Sequence, residues 1–130
     1  MLFRYHDEHQ APFWATVGGE LQQGETFETA ASRELLEETG FRDPIGKFLR
    51  SRKATYPIAN SAPTDWVEKY FLVQLGVHLE PTNKNWTQEE LSTIIAWKWW
   101  SVGDMNLDPE QFKPNWLPDL LSILIEEAVK

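Results

Sequence analysis

The sequence contains no cysteine. That absence excludes a disulfide scaffold, a thiolate zinc site, an iron–sulfur cluster and a cysteine nucleophile. No apolar run approaches the ~20 residues of a membrane span, so no membrane partner is expected. The opening residues Met1-Leu2-Phe3-Arg4-Tyr5-His6-Asp7 lack the layout of a secretory signal, and a cytoplasmic location is the expectation. Basic residues are scarce: 12 Lys+Arg stand against 20 Asp+Glu, a formal net charge of −8. So acidic a chain repels polyanions at long range, and no nucleic-acid partner is expected. A phosphate-bearing substrate would need its charge neutralised locally, and a divalent cation is the obvious means. Internal repeats, low-complexity tracts and linkers are also missing, so residues 1–130 are read as a single domain. Hydrophobic residues make up 42% of the chain, enough to offset chain entropy with a packed core and to exclude disorder.

Several segments read as strands: Leu2 to Tyr5, Pro12 to Val17, Ile45 to Tyr56, Val67 to Leu79 and Ile94 to Trp100. Alternation in the last would bury Trp97 and Trp99 on one side and turn Trp100 to the other. The Pro-bearing stretches Tyr56 to Pro63 and Pro81 to Asn85 read as surface loops. A helix is predicted from about Thr26, a suitable N-cap, to Thr39, with Gly40 placed to end it. A second is predicted from Leu117 to Val129, and a short helical turn after Ser101. Strands mixed with two main helices indicate a layered α/β or α+β domain.

The first helix carries the unusual chemistry. Glu34, Glu37 and Glu38 are spaced three and four apart, so their carboxylates share one face. Phe27, Ala31 and Leu35 line a different face, able to pack on a sheet. Like charges at those spacings destabilise a helix by a few tenths of a kcal/mol each. They also sit in its C-terminal half, where the macrodipole disfavours negative charge. A cluster kept at that cost suggests a ligand, and hard carboxylate oxygens suit Mg2+ or Mn2+. Arg33 beside the cluster can fix a carboxylate by bidentate pairing.

Taken with their neighbours, these residues fill every specified position of the pattern G-x5-E-x7-R-E-U-x-E-E-x-G-U, where U is bulky and apolar: Gly19, Glu25, Arg33, Glu34, Leu35, Glu37, Glu38, Gly40 and Phe41. The sequence therefore resembles the Nudix hydrolases. The resemblance implies an α/β/α sandwich with a mixed central sheet. It implies hydrolysis of a nucleoside diphosphate linked to another moiety, such as a nucleoside triphosphate or a nucleotide-sugar, with Mg2+ or Mn2+. It places Glu34, Glu37, Glu38 and the carbonyl of Gly18 as metal ligands, with Arg33 and Glu25 orienting the glutamates. Trp86-Thr87-Gln88-Glu89-Glu90, followed by Lys98-Trp99-Trp100-Ser101, is similar to a late loop and strand of one bacterial branch. There a loop glutamate is catalytic base or extra ligand; Glu90 has the matching position, with Glu89 the alternative. Family members usually carry a further strand before the one resembling Leu2-Phe3-Arg4. The expectation is a sheet without it, with the exposed edge covered by a partner chain, as in a homodimer, or left as a source of instability.

Substrate contacts are less determined. Arg4 and Trp14 are candidates, and Phe13, Trp66 or Trp86 are alternatives for stacking a base. Arg50, Arg52 and Lys53 are read as solvated. Asp65 and Glu68 would at most extend the acidic site, and His6, His9 and His78 have no metal-ligand spacing. Two rival classes stay open: a domain of this fold that binds a nucleotide without turning it over, and an acidic interaction domain in which Mg2+ has no effect.

Overall fold

A computed structural model describes residues 1–7, 10–56, 64–76, 79–108 and 111–128. In chain order the elements are β1 (Leu2–Asp7), β2 (Gln10–Ala15), α1 (Phe27–Thr39), β3 (Phe48–Tyr56), β4 (Thr64–Phe71), α2 (Gln88–Thr93), β5 (Ile94–Lys98), α3 (Val102–Leu107), β6 (Phe112–Lys113) and α4 (Leu117–Ala128). The result is a mixed α+β domain with a mixed sheet. Its strands are divided between a four-stranded sheet of order β5-β1-β2-β6 and a separate hairpin of β3 and β4. β1 runs antiparallel to both β2 and β5, and β6 joins β2 in parallel.

The central position of β1 explains its burial. Leu2 and Phe3 are 4% and 0% exposed although they point to opposite faces of the sheet. On the Leu2 face, Trp14, Met105, Phe112 and Leu117 form the core, with Ala96, Trp100 and Leu121 packed against it. Trp100 stands edge-on to Trp14 and Phe112, with centroids 5.3 and 5.1 Å apart. On the other face, Phe3 meets Trp86 edge-on at 5.6 Å, and Tyr5 stacks on Phe13. This second face looks toward the C-terminal end of α1 and toward α2. Between α1, the start of β1 and the β3–β4 hairpin lies an apolar cavity of about 1000 Å³, walled by Leu2, Phe27, Leu35, Trp66, Tyr70 and Leu120.

Three expectations need correction, and one strand is unforeseen. The strand expected over Val67 to Leu79 starts earlier and ends at Phe71. Beyond it Leu72 still exchanges hydrogen bonds with the chain at Gly46 and Lys47 (2.9 and 2.8 Å), but Val73 and Leu75 follow no ladder; Val77 lies outside the described residues. Trp97 is 38% exposed, not buried: it sits opposite Phe3 on the outermost strand, where cover ends. Trp86 to Glu90 is expected as loop, whereas Gln88 to Thr93 is helical under a Thr87–Glu90 capping box. β6 is not anticipated, since two residues leave no periodicity to read. The loop expected over Tyr56 to Pro63 lies almost wholly outside the described residues.

Candidate active site

Local chemistry builds α1 in place. The Thr26 side chain accepts the Thr29 amide at 3.1 Å, satisfying one of the free donors of the first turn. Gly40 closes the helix at φ 81°, a left-handed conformation that glycine adopts without strain. Between these caps the helix presents Arg33, Glu34, Glu37 and Glu38.

Arg33 organises one side of the cluster. Its guanidinium grips Glu25 with Nε and Nη2 (2.8 and 3.0 Å). Nη1 reaches Glu34 at 2.7 Å and Glu37 at 3.2 Å, and Nη2 also donates to the Glu20 carbonyl at 2.9 Å. Arg33 thus ties the loop before the helix to two of the glutamates with the planar fork that only arginine has. The hydrogen bonds from Arg33 and from the Gln22 amide hold Glu25 below the usual carboxylate range. Burial raises the pKa of Glu34, with Arg33 opposing. Gly19 lies so close to the Glu34 carboxylate that a Cβ there would collide with it.

Glu38 forms the other side. It is 5% exposed and accepts the Gly18 amide at 3.1 Å. Burial, and then its hydrogen bond with the Glu90 side chain, push its carboxyl up to about 9. Burial disfavours the charged form of Glu38, and the neighbouring carboxyl group disfavours it further. Glu90 is held there by the capping box: its carboxylate accepts the Thr87 amide at 2.9 Å while its own amide donates to the Thr87 hydroxyl at 3.1 Å. Glu89, the alternative, is exposed. Tyr5, on the same face of β1 as Phe3, is half-buried near the glutamates, and desolvation, then the charges of Glu38, Glu90 and Glu34, raise its pKa.

Among the described residues, no three carboxylate or imidazole groups are gathered closely enough to form a ready metal site. The donor chemistry nevertheless fits a divalent cation. Glu34, Glu37 and Glu38 supply hard oxygens on one helix face, and the proton retained at Glu38 is what a cation would displace. Glu34 and Glu37 are turned toward Arg33, so they would have to rotate from it to share a ligand with Glu38.

The structure places the other candidates more plainly. Trp14 is 6% exposed and belongs to the core, with the Arg4 guanidinium 5.6 Å above its ring. Trp66 walls the cavity. Arg50 lies over Trp116, and Arg52 pairs with Glu68 at 2.8 Å, a carboxylate that also accepts from Tyr70. The Lys98 ammonium lies 3.8 Å over Trp100. His6 is exposed; His9, His78 and the Asp65 side chain lie outside the described residues. Sequence reasoning alone misses Tyr5 as a neighbour of the glutamates. Its signal is the two-residue spacing from Phe3, which fixes the shared face once β1 is known.

Buried Glu38, bonded to half-buried Glu90, thus stands beside a helical row of arginine-bound glutamates on a mixed α+β scaffold. The NUDIX domain family matches residues 1–120, and the chain belongs to that family. A NAD-capped RNA hydrolase, NudC, from Pasteurella multocida is 34% identical over 70 residues, covering 54% of this chain and 26% of the relative. An 8-oxo-(d)GTP phosphatase from Mycolicibacterium smegmatis is 42% identical over 53 residues, covering 41% of this chain and 16% of the relative. The matched part is thus about a quarter or less of the length of these curated relatives. No helix among the described residues is long and apolar enough to cross a membrane.

Proposed function

We propose that this protein hydrolyses a small nucleotide in which a nucleoside diphosphate is linked to a further group, by attack of water on phosphorus with Mg2+ or Mn2+. One observation carries the reading: buried Glu38 is paired with Glu90 at the end of the helix whose other glutamates Arg33 holds. Glu34, Glu37, Glu38 and the Gly18 carbonyl would hold the cation, which when bound neutralises phosphate oxygens and acidifies a water. Glu90 takes the proton from the attacking water, its carboxylate being aimed at Glu38 by the capping box. Arg33 holds Glu34 and Glu37 on the helix face beside Glu38, from which they would rotate to the cation, while Glu25 balances the guanidinium charge. The two relatives are named for a capped RNA and an oxidised nucleotide. Here a net charge of −8 disfavours a polynucleotide body, which supports a nucleoside triphosphate or nucleotide-sugar instead.

The test is phosphate or pyrophosphate release from nucleoside triphosphates, nucleotide-sugars, dinucleotides and a capped oligonucleotide, with Mg2+, Mn2+ or chelator. Metal-dependent turnover of one small-nucleotide class is the expected result. Turnover of the capped oligonucleotide alone would overturn the substrate class. A second reading, nucleotide binding without turnover, is favoured by the engagement of Glu34 and Glu37 with Arg33. It expects Mg2+ to raise the melting temperature while no substrate is consumed.

A further inference from the structure

The last carbonyls of a helix have no partner within it and must find one elsewhere. At the end of α1, Gly40 donates to Leu36 (2.9 Å) and the Thr39 hydroxyl to Leu35 (2.5 Å). Two further partners come from far along the chain. The Thr82 amide donates to the Thr39 carbonyl at 2.9 Å, and the Trp86 indole Nε1–H to the Glu38 carbonyl at 2.6 Å. The Trp86 ring is in turn seated edge-on against fully buried Phe3. One residue further on begins the capping box that aims Glu90.

From this geometry we infer that Trp86 is a positioning residue: by bonding the backbone of Glu38 it fixes both that glutamate and the approach of Glu90 to it. The inference rests on the proposed function, on its metal site for the Mn2+ measurement and on its hydrolysis for the kinetic one. Residues 82–90 serve as the distal cap of α1, and the same nine-residue span carries Glu90. One indole hydrogen bond therefore sets the separation of two carboxyl groups that come from different elements. A phenylalanine at this position keeps an aromatic ring against Phe3 and removes the N–H alone.

The experiment compares wild type, Trp86→Phe and Phe3→Leu. Phe3→Leu loosens the same packing but leaves the indole bond, and serves as the stability control. Free Mn2+ is titrated by electron paramagnetic resonance at a temperature where each protein is folded by near-UV circular dichroism. Trp86→Phe should bind Mn2+ about 10–100-fold more weakly, with kcat lowered by a similar factor and KM little changed. Phe3→Leu should melt earlier with Mn2+ affinity nearly that of wild type. Equal losses of affinity in both variants, or none in Trp86→Phe, would overturn the inference. Indole hydrogen exchange in 15N-labelled wild type needs no variant: the Trp86 N–H should be protected and slow further with Mg2+. An unprotected N–H contradicts the inference. If wild type turns nothing over but Trp86→Phe selectively loses Mn2+, the positioning role holds and the hydrolase reading fails. If wild type turns substrate over and Trp86→Phe matches it in rate and Mn2+ affinity, the hydrolase reading holds and the positioning role fails.

Discussion

Glu38 is the residue whose environment departs furthest from that of an ordinary carboxylate. Buried and bonded to Glu90, it releases its proton only near pH 9, whereas in the unfolded chain it would do so near 4.5. Between those values the folded protein holds a proton that the unfolded chain has lost, so stability falls as pH rises through the window. In chelator, the melting temperature should decline from about pH 5 toward pH 9, and Glu38→Gln should flatten that decline. A slope unchanged in the variant would place the titration elsewhere. Arg33 is the second decisive residue, because one guanidinium bonds Glu25, Glu34, Glu37 and the Glu20 carbonyl. Lysine keeps the charge but not the fork, so Arg33→Lys should lower metal-dependent turnover roughly 10–100-fold. Steady-state kinetics with Mg2+ check this, and wild-type rates would contradict it.

Among the elements, α1 matters most because it holds the glutamates, and its length depends on Gly40. A side chain there would meet both a left-handed backbone and the Thr82 methyl group. Gly40→Ala should therefore destabilise the fold by roughly 1–2 kcal/mol, read as a lower urea midpoint at unchanged slope. An unchanged midpoint would mean that the helix end relaxes freely. This helix is also the most legible part of the chain. Thr26 and Gly40 announce its ends, and a fully matched motif names its face. α2 is hidden because six residues show no period, although the Thr87–Glu90 box that starts it is present in the sequence. The end of β4 is hidden for the opposite reason: Val73 and Leu75 alternate like a strand but find no partner strand. Neither the bond from Trp86 to Glu38 nor the nearness of Tyr5 to the glutamates follows from local pattern, since both join residues far apart in sequence in a packing that only the tertiary structure defines.

At the scale of the whole molecule, the strands form a four-stranded sheet and a separate hairpin rather than one continuous sheet, and they border an apolar pocket of about 1000 Å³ that opens to solvent. The Met1 amino group lines that space, and burial lowers its pKa to about 6. The net charge of −8 acts at the same scale, and under the proposed function charge neutralisation at the glutamates would be a condition for admitting a phosphate substrate. The most direct test of that condition is nucleotide hydrolysis by wild type and Glu38→Gln, each with Mg2+ and with chelator. Mg2+-dependent release of phosphate or pyrophosphate by wild type, reduced by orders of magnitude in a folded Glu38→Gln, is the predicted result; equal turnover in the two proteins, or turnover indifferent to chelator, would contradict it.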